Sequence, residues 1–341
     1  MTRSAQYLGD RTFAVAGTEP VPPGPGEVRV DVAYTGICGT DLHIAHGAMD
    51  HRVSVPAVIG HEMSGRIAEL GPGVDGWTVG DHVTVMPLSW CGQCPACLAG
   101  HRHICHRLVF IGIDAPGAMQ NTWTVPAAVL VRLPADLPLD RAALIEPTAV
   151  AVHDVRRSRL RAGEHAVVVG AGPVGLLIGK VAQATGAEVL VLELDPHRRE
   201  VAAGLGLSTV DPAAVDVVRH VQDWTGGAGA AVAFEVSGSA GGVGTASDVL
   251  AVRGRLVVVA IHPKPREVDL HRVFWRELEL LGVRVYDRAD FEEAVRLVAA
   301  EEVPADRLIS RVFPLEAATE AFTALESGGV VKVLIDCGGD A

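Results

Sequence analysis

Several residues in this chain combine types and spacings that could hold a metal. The tightest set is Cys91-x2-Cys94-x2-Cys97-x7-Cys105, four thiols within fifteen residues. Four thiolates complete a tetrahedron around zinc and leave no position for a substrate, so such a site staples a loop and does no Lewis-acid chemistry. Iron–sulfur clusters also take four thiolates, but this spacing does not match the ferredoxin runs. Gly92, Pro95 and Gly100 suit a tight knuckle, and His101, His103 and His106 are bystanders to a metal already satisfied. A second set is open. Cys38, in Gly36-Ile37-Cys38-Gly39-Thr40-Asp41-Leu42-His43, and His61, in Gly60-His61-Glu62, supply a sulfur and a nitrogen, and Glu62 or Glu146 can add a carboxylate. Three protein ligands plus water or substrate make up a catalytic zinc site. Singly, each has an ordinary reading: a buried thiol, a core histidine, a helix-start acid. Their coincidence with the cysteine cluster is what points to chemistry.

Gly170-Ala171-Gly172-Pro173-Val174-Gly175 follows the apolar run Ala166–Val169 and opens a helical pattern. A GxGxxG in that context turns tightly at its first glycine and lets a pyrophosphate approach at its second. The third packs helix on strand, and the N–H groups of the helix start face the phosphates. Glu193, eighteen residues beyond Gly175, ends the next apolar run, where an acid bonds ribose hydroxyls and repels a 2′-phosphate. That favours NAD over NADP, while Arg198 and Arg199 pull towards the phosphate. Asp195, in Asp-Pro-His-Arg, reads as a helix cap.

The elements that must position these groups fall into two textures. Residues 1–147 read as short strands with Gly/Pro punctuation, such as the alternating Val28–Val32, which suggests a β-rich, barrel-like domain. From 148 to 284 apolar strands (Val189–Leu192, Val232–Val236, Leu256–Ala260) alternate with helix-length segments, the rhythm of a doubly wound parallel sheet. Mixed texture returns over 285–341, with a helix at Phe291–Ala300 and a last strand at Val330–Asp336. A helix from about Pro147 to Arg157 joins the domains directly. A length of 341 residues fits two domains, and 49% hydrophobic content is that of a globular α/β chain. A formal charge of −12 without basic runs speaks against nucleic-acid or anionic-membrane partners. The chain shows neither a signal peptide nor a membrane-spanning run, and its clustered thiols fit a reducing compartment, so a cytoplasmic protein is expected.

Ile37–His43, Val58–Glu62, Cys91–Cys105, Gly170–Gly175 and Glu146-Pro147 together resemble the zinc-dependent medium-chain dehydrogenases, nearly end to end. The resemblance is strongest to the branch of threonine 3-dehydrogenases and polyol (sorbitol, 2,3-butanediol) dehydrogenases. It implies a GroES-like catalytic domain (1–147 plus 285–341) carrying a structural zinc lobe at 89–106, and a Rossmann coenzyme domain (148–284). It implies two zinc ions per subunit, the catalytic one on Cys38, His61 and Glu62, with Glu146 bound directly or through water. Cofactor contacts are implied for Gly170, Gly172, Pro173, Val174, Gly175, Glu193, Arg198, the segment Val259-Ala260-Ile261, and Val285-Tyr286. Thr40 and His43 would relay the proton released as a small-molecule secondary alcohol of a polyol, sugar alcohol or vicinal diol becomes a ketone, with hydride passing to NAD. The branch also implies a homo-oligomer, tetramer or dimer. L-Threonine 3-dehydrogenase and a non-catalytic dinucleotide-binding protein are the alternatives. Gly117–Trp123 departs from the Phe-Ala-Glu-Tyr pattern of many members, and Glu146-Pro147-Thr148 from the threonine enzymes.

Overall fold

The computed structural model describes residues 2–338, which divide into two compact units. One takes in the chain up to Glu146, then Asp287–Glu301 and everything from Leu308 on; the other takes Pro147–Tyr286 and Glu302–Arg307.

The first unit is β-rich. Its main sheet runs in the order Leu130–Arg132, His82–Val85, Glu62–Leu70, Glu27–Gly36, Lys332–Asp336, Ile309–Pro314, with Thr122–Pro126 also paired to Glu27–Gly36. Along Glu27–Gly36 the period-two pattern holds at its start: Val28, Val30 and Val32 are buried while Arg29 and Asp31 are half-buried. Three strand ends meet at one place. Gly36 pairs with Glu62 and with Leu334, and Ile37 N–H donates to the Val333 carbonyl at 3.0 Å. This register brings the residues after Gly36, those around Glu62 and the start of the last strand together. The Gly117–Trp123 segment is a sheet wall: Met119 and Trp123 are buried, and Trp123 pairs with Val30. The last strand begins at Lys332 rather than Val330, because Gly328 and Gly329 just before it hold positive φ.

The second unit carries six parallel strands in the order Ser208–Val210, Glu188–Leu192, His165–Val169, Ala230–Glu235, Leu250–Val258, Glu279–Gly282. That is the doubly wound order, with its switch point between His165–Val169 and Ala230–Glu235. Val167, Leu190, Ala233 and Leu256 belong to one buried cluster. The strand expected at Leu256–Ala260 starts earlier, at Leu250, and ends at Val258. Its register shifts between the partners of Ala230 and Val232, where Arg253 adopts a left-handed φ of 59°. Ala260 and Ile261 therefore lie in the loop beyond it. Helices start on side-chain caps at Asp195, Asp216, Ser239 and Asp269. The helix that spans the boundary of the two units runs Ile145–Ser158. Among the described residues no helix is long and apolar enough to cross a membrane.

Asp195 gives a test of the capping. It accepts a hydrogen bond from the Arg198 N–H at 3.0 Å, and that bond is the main reason its carboxyl is held below the usual range. A depressed carboxyl stabilises the fold above its unfolded pKa, and the contribution is lost as pH falls through the folded value. Asp195→Ala should lower stability by about 1 kcal/mol at neutral pH. The gap from the unmutated protein should close below about pH 4, read by urea unfolding across a pH series.

Candidate active site and dinucleotide cradle

Cys38 ends the turn after Gly36 and caps the helix Gly39–Ala45. Its sulfur accepts from Thr40 N–H at 3.5 Å, and its own N–H donates to Asp41 Oδ2 at 2.9 Å. This reciprocal cap fixes both side chains. Ligand atoms of Cys38, His61 and Glu62 all lie within 4.8 Å of one another. Asp41 stands behind the imidazole, its Oδ1 3.6 Å from His61 Nδ1, and both atoms are buried without a hydrogen-bond partner among the described residues. Burial by itself would lower the pKa of His61, but the Asp41 carboxylate and Cys38 carry it well above the ordinary value. Burial pushes the Asp41 carboxyl up, against the pull of His61 and the Cys38 N–H. A sulfur, a nitrogen and an oxygen converging in a buried, anion-rich pocket fit an open zinc site, and a carboxylate behind the histidine fits the support such ligands need.

The sequence reading gave no role to Asp41 and missed Lys332. The ammonium of Lys332, 2% exposed, pairs with Glu62 and donates to the Ile37 carbonyl at 3.0 Å. A lysine inside the apolar run Val330–Ile335 is the signal that could have revealed it, since a buried ammonium requires a counter-charge. Gly36 makes the pair possible, because a Cβ there would overlap Glu62 Oε2 and press on Lys332. Glu146 is buried at the start of its helix. It stands outside the trio, yet its charge acts on His61 and Lys332. Thr40 is half-buried and His43 exposed, three residues apart on one helix and so on one face.

The cysteine lobe is already assembled. Cys91, Cys94, Cys97 and Cys105 form a cluster, with sulfurs 3.4 Å (Cys91–Cys105), 3.8 Å (Cys94–Cys105) and 4.0 Å (Cys91–Cys97) apart. A zinc–sulfur bond of about 2.3 Å gives a tetrahedral edge of about 3.8 Å, far beyond a disulfide. Hydrogen bonds from Gln93 and Cys94 N–H draw the Cys91 thiol down to about 5, while burial and neighbouring thiols push Cys97 up to about 12. A divalent metal bound by the four would favour their thiolate forms together. Trp90 and Leu108 pack around them.

The glycine loop lies at the switch point of the parallel sheet. A Cβ at Gly175 would strike the Gly170 carbonyl, and one at Gly170 (φ 107°) would crowd Ser237. Gly172 caps the helix Pro173–Ala184 and faces open space, so a ligand can reach its backbone. Gly170, Gly172, Glu193, Arg198 and Ser237 line a cavity of about 470 Å³. Glu193 accepts from Ala171 N–H (2.6 Å) and Asp195 N–H (2.9 Å), which holds its carboxylate at the loop. Pro173, Val174 and Gly175 form the first turn of the helix. Ala260, Ile261, Val285 and Tyr286 are not among the residues lining that cavity, and Tyr286 is fully buried.

Comparison with known proteins agrees with this architecture. Residues 24–135 match the alcohol dehydrogenase GroES-like domain, and residues 173–300 match the zinc-binding dehydrogenase domain. The chain is 50% identical over 98% of both lengths to 2-dehydro-3-deoxy-L-galactonate 5-dehydrogenase of Pseudoalteromonas atlantica. It is 32% identical over 96% of both lengths to sorbitol dehydrogenase of Halalkalibacterium halodurans. A Sinorhizobium meliloti protein described as a zinc-binding dehydrogenase, solved with NADP, superposes with a TM-score of 0.93 at 30% identity, covering 98% of this chain and 99% of that one. The chain belongs to the zinc-dependent medium-chain dehydrogenases, with a GroES-like unit and a Rossmann unit. It is an oxidoreductase that moves a hydride between an alcohol carbon and a nicotinamide cofactor.

The two candidate metal sites are distinguished by a metal analysis. Cys97→Ser should lose one zinc equivalent and melt at lower temperature, whereas Cys38→Ser should keep the lobe's zinc and the cofactor affinity but lose turnover. Full activity in Cys38→Ser would remove the zinc trio from the reaction.

Proposed function

We propose that the chain oxidises, reversibly, the C5 hydroxyl of a six-carbon 2-keto-3-deoxy sugar acid to a ketone, with NAD as hydride acceptor. The carrying observation is 50% identity over 98% of both chains to an enzyme of that name. The reaction balances as alcohol plus NAD+ giving ketone, NADH and one proton. Cys38, His61 and Glu62 would hold a catalytic zinc, with Glu146 as a further carboxylate, and the cysteine lobe a second zinc. When bound, the catalytic metal would act as a Lewis acid that lowers the pKa of the hydroxyl it polarises. The remaining work falls to the protein. Asp41 orients the His61 ring, and Lys332 holds Glu62 in place. Thr40 accepts the proton of the reacting hydroxyl and passes it on, and the exposed His43 delivers it to solvent, a task suited to an imidazole near neutral pH. Glu193 would set the cofactor, since a carboxylate lining this cavity disfavours a 2′-phosphate on a bound ribose. Arg198 in the same cavity is the group that would tolerate one, and it is the reason to test NADP as well. The proposal includes a cytoplasmic homo-oligomer, the habit of the branch.

Turnover followed by nicotinamide absorbance, with NAD and NADP against 2-dehydro-3-deoxy-L-galactonate, sorbitol, 2,3-butanediol and L-threonine, tests this reading. The sugar acid with NAD should give the highest kcat/KM, abolished by metal removal and restored by zinc. Activity confined to threonine would replace the proposal with the threonine enzyme. Silence across the panel with NAD still bound would make the chain a dinucleotide-binding protein.

A further inference from the structure

A sugar acid brings a carboxylate to a protein whose formal charge is −12. A cation close to the reacting carbon is therefore needed to hold it. Two cations are tied by described contacts to the walls of the Cys38–His61–Glu62 trio. Lys332 is sealed in and committed to Glu62 and the Ile37 carbonyl. Arg52 is different. It sits in the loop between the helix Gly39–Ala45 and the strand Ala57–Val58, with its side chain 30% exposed. Its Nε and Nη2 donate to the two oxygens of Asp114 at 2.9 and 2.7 Å, while Nη1 has no partner among the described residues. Three N–H groups of a fixed guanidinium, two of them on Nη1, are left to offer.

Asp114 ties that guanidinium to the segment that packs on His61. Its Oδ2 also accepts from the Phe110 N–H at 2.8 Å, and the Phe110 ring stands edge-on to His61 with centroids 5.1 Å apart. Ala118 N–H donates to the Gly60 carbonyl at 2.9 Å, which fastens the far end of the same segment beside His61. Arg52 is thus held two side chains away from a ligand of the reacting centre, open to solvent and pre-oriented by a carboxylate. We propose that Arg52 receives the substrate's carboxylate on this free edge, and so sets the preference of the site for sugar acids over neutral polyols. This rests on the sugar-acid reading above. Asp114 aims the guanidinium and at the same time offsets part of its charge.

That double role separates a binding residue from a mere tie between two loops. KM values for the keto-deoxy acid and for sorbitol would be measured in the unmutated enzyme and in Arg52→Gln, Arg52→Lys and Asp114→Asn. Losing charge-assisted hydrogen bonds should raise KM for the acid on the order of tenfold to a hundredfold in Arg52→Gln, with sorbitol unchanged. Arg52→Lys, which keeps the charge and loses the fork, should fall between. Asp114→Asn keeps an acceptor for the Phe110 N–H and releases the guanidinium's charge, so KM for the acid should fall severalfold. If Arg52→Gln does not fold, the opposite shifts in Arg52→Lys and Asp114→Asn carry the test. A rise in KM for both substrates in both Arg52→Gln and Asp114→Asn would overturn the inference, because a structural tie predicts that symmetry. An acid preference that survives Arg52→Gln would overturn it too, while leaving the sugar-acid reading intact. An unmutated enzyme with no acid preference would overturn that reading, and this inference with it.

Discussion

Negative charge packed where water does not reach is the constraint around which the catalytic unit is built. Asp41 and Glu62 are buried beside His61, with Cys38 at their edge. Removing a carboxylate from water costs several kcal/mol, recovered only when a cation and well-placed hydrogen bonds stand in for the lost hydration. Lys332 balances one charge, and the converging sulfur, nitrogen and oxygen are arranged to balance the rest around a metal. The strand register follows from this need. Gly36 lies opposite both Glu62 and Leu334, so the thiol, the imidazole and the ammonium come from strand ends that are forced to meet. Even the missing side chain at Gly36 belongs to the arrangement, since any Cβ would displace the ion pair.

The Rossmann unit meets the complementary demand with backbone alone. An anionic ligand there is met by N–H groups at a helix start, and three glycines clear the path: two by packing tightly, one by leaving space open. Glu193 is the exception in an otherwise anion-seeking cradle. It is kept in place by two N–H donors of the loop and the following turn. An acid so tethered is a fixed part of the cradle rather than a mobile side chain.

Features encoded locally were legible in the sequence. The four thiols are close in sequence, so their spacing already specifies the tetrahedron, and the glycine loop is a contiguous motif with a strand before it. Cys38, His61 and Glu62 could be proposed by residue type because each sits in a short, distinctive segment. What escaped was set by tertiary contact. Lys332 reaches Ile37 across 295 residues, and nothing in either segment announces the other. Asp41 is quiet in the sequence because its role depends on the ring it stands behind. The early start of the strand at Leu250 was hidden by a left-handed residue, Arg253, which interrupts the apolar run without ending the strand. The same logic applies to Arg52, whose importance lies in a fork onto Asp114 that no periodicity records.

The position of the last strand has a consequence for how the molecule comes into being. Lys332–Asp336 is not an edge strand; it is inserted between Glu27–Gly36 and Ile309–Pro314, in the middle of the main sheet. During synthesis from the N-terminus, Cys38, His61 and Glu62 leave the ribosome well before their buried counter-ion, which follows Glu62 by 270 residues. Pro147–Tyr286 supplies all six strands of the second sheet, so that unit can close on itself while the first still waits for a strand. Long-range pairing of this kind is slow because the chain entropy must be spent before the contact forms. The nascent first unit therefore carries an open sheet and an unpaired acid until Lys332–Asp336 has been made, and a chain cut before Lys332 would lack both the strand and the charge that complete the candidate site.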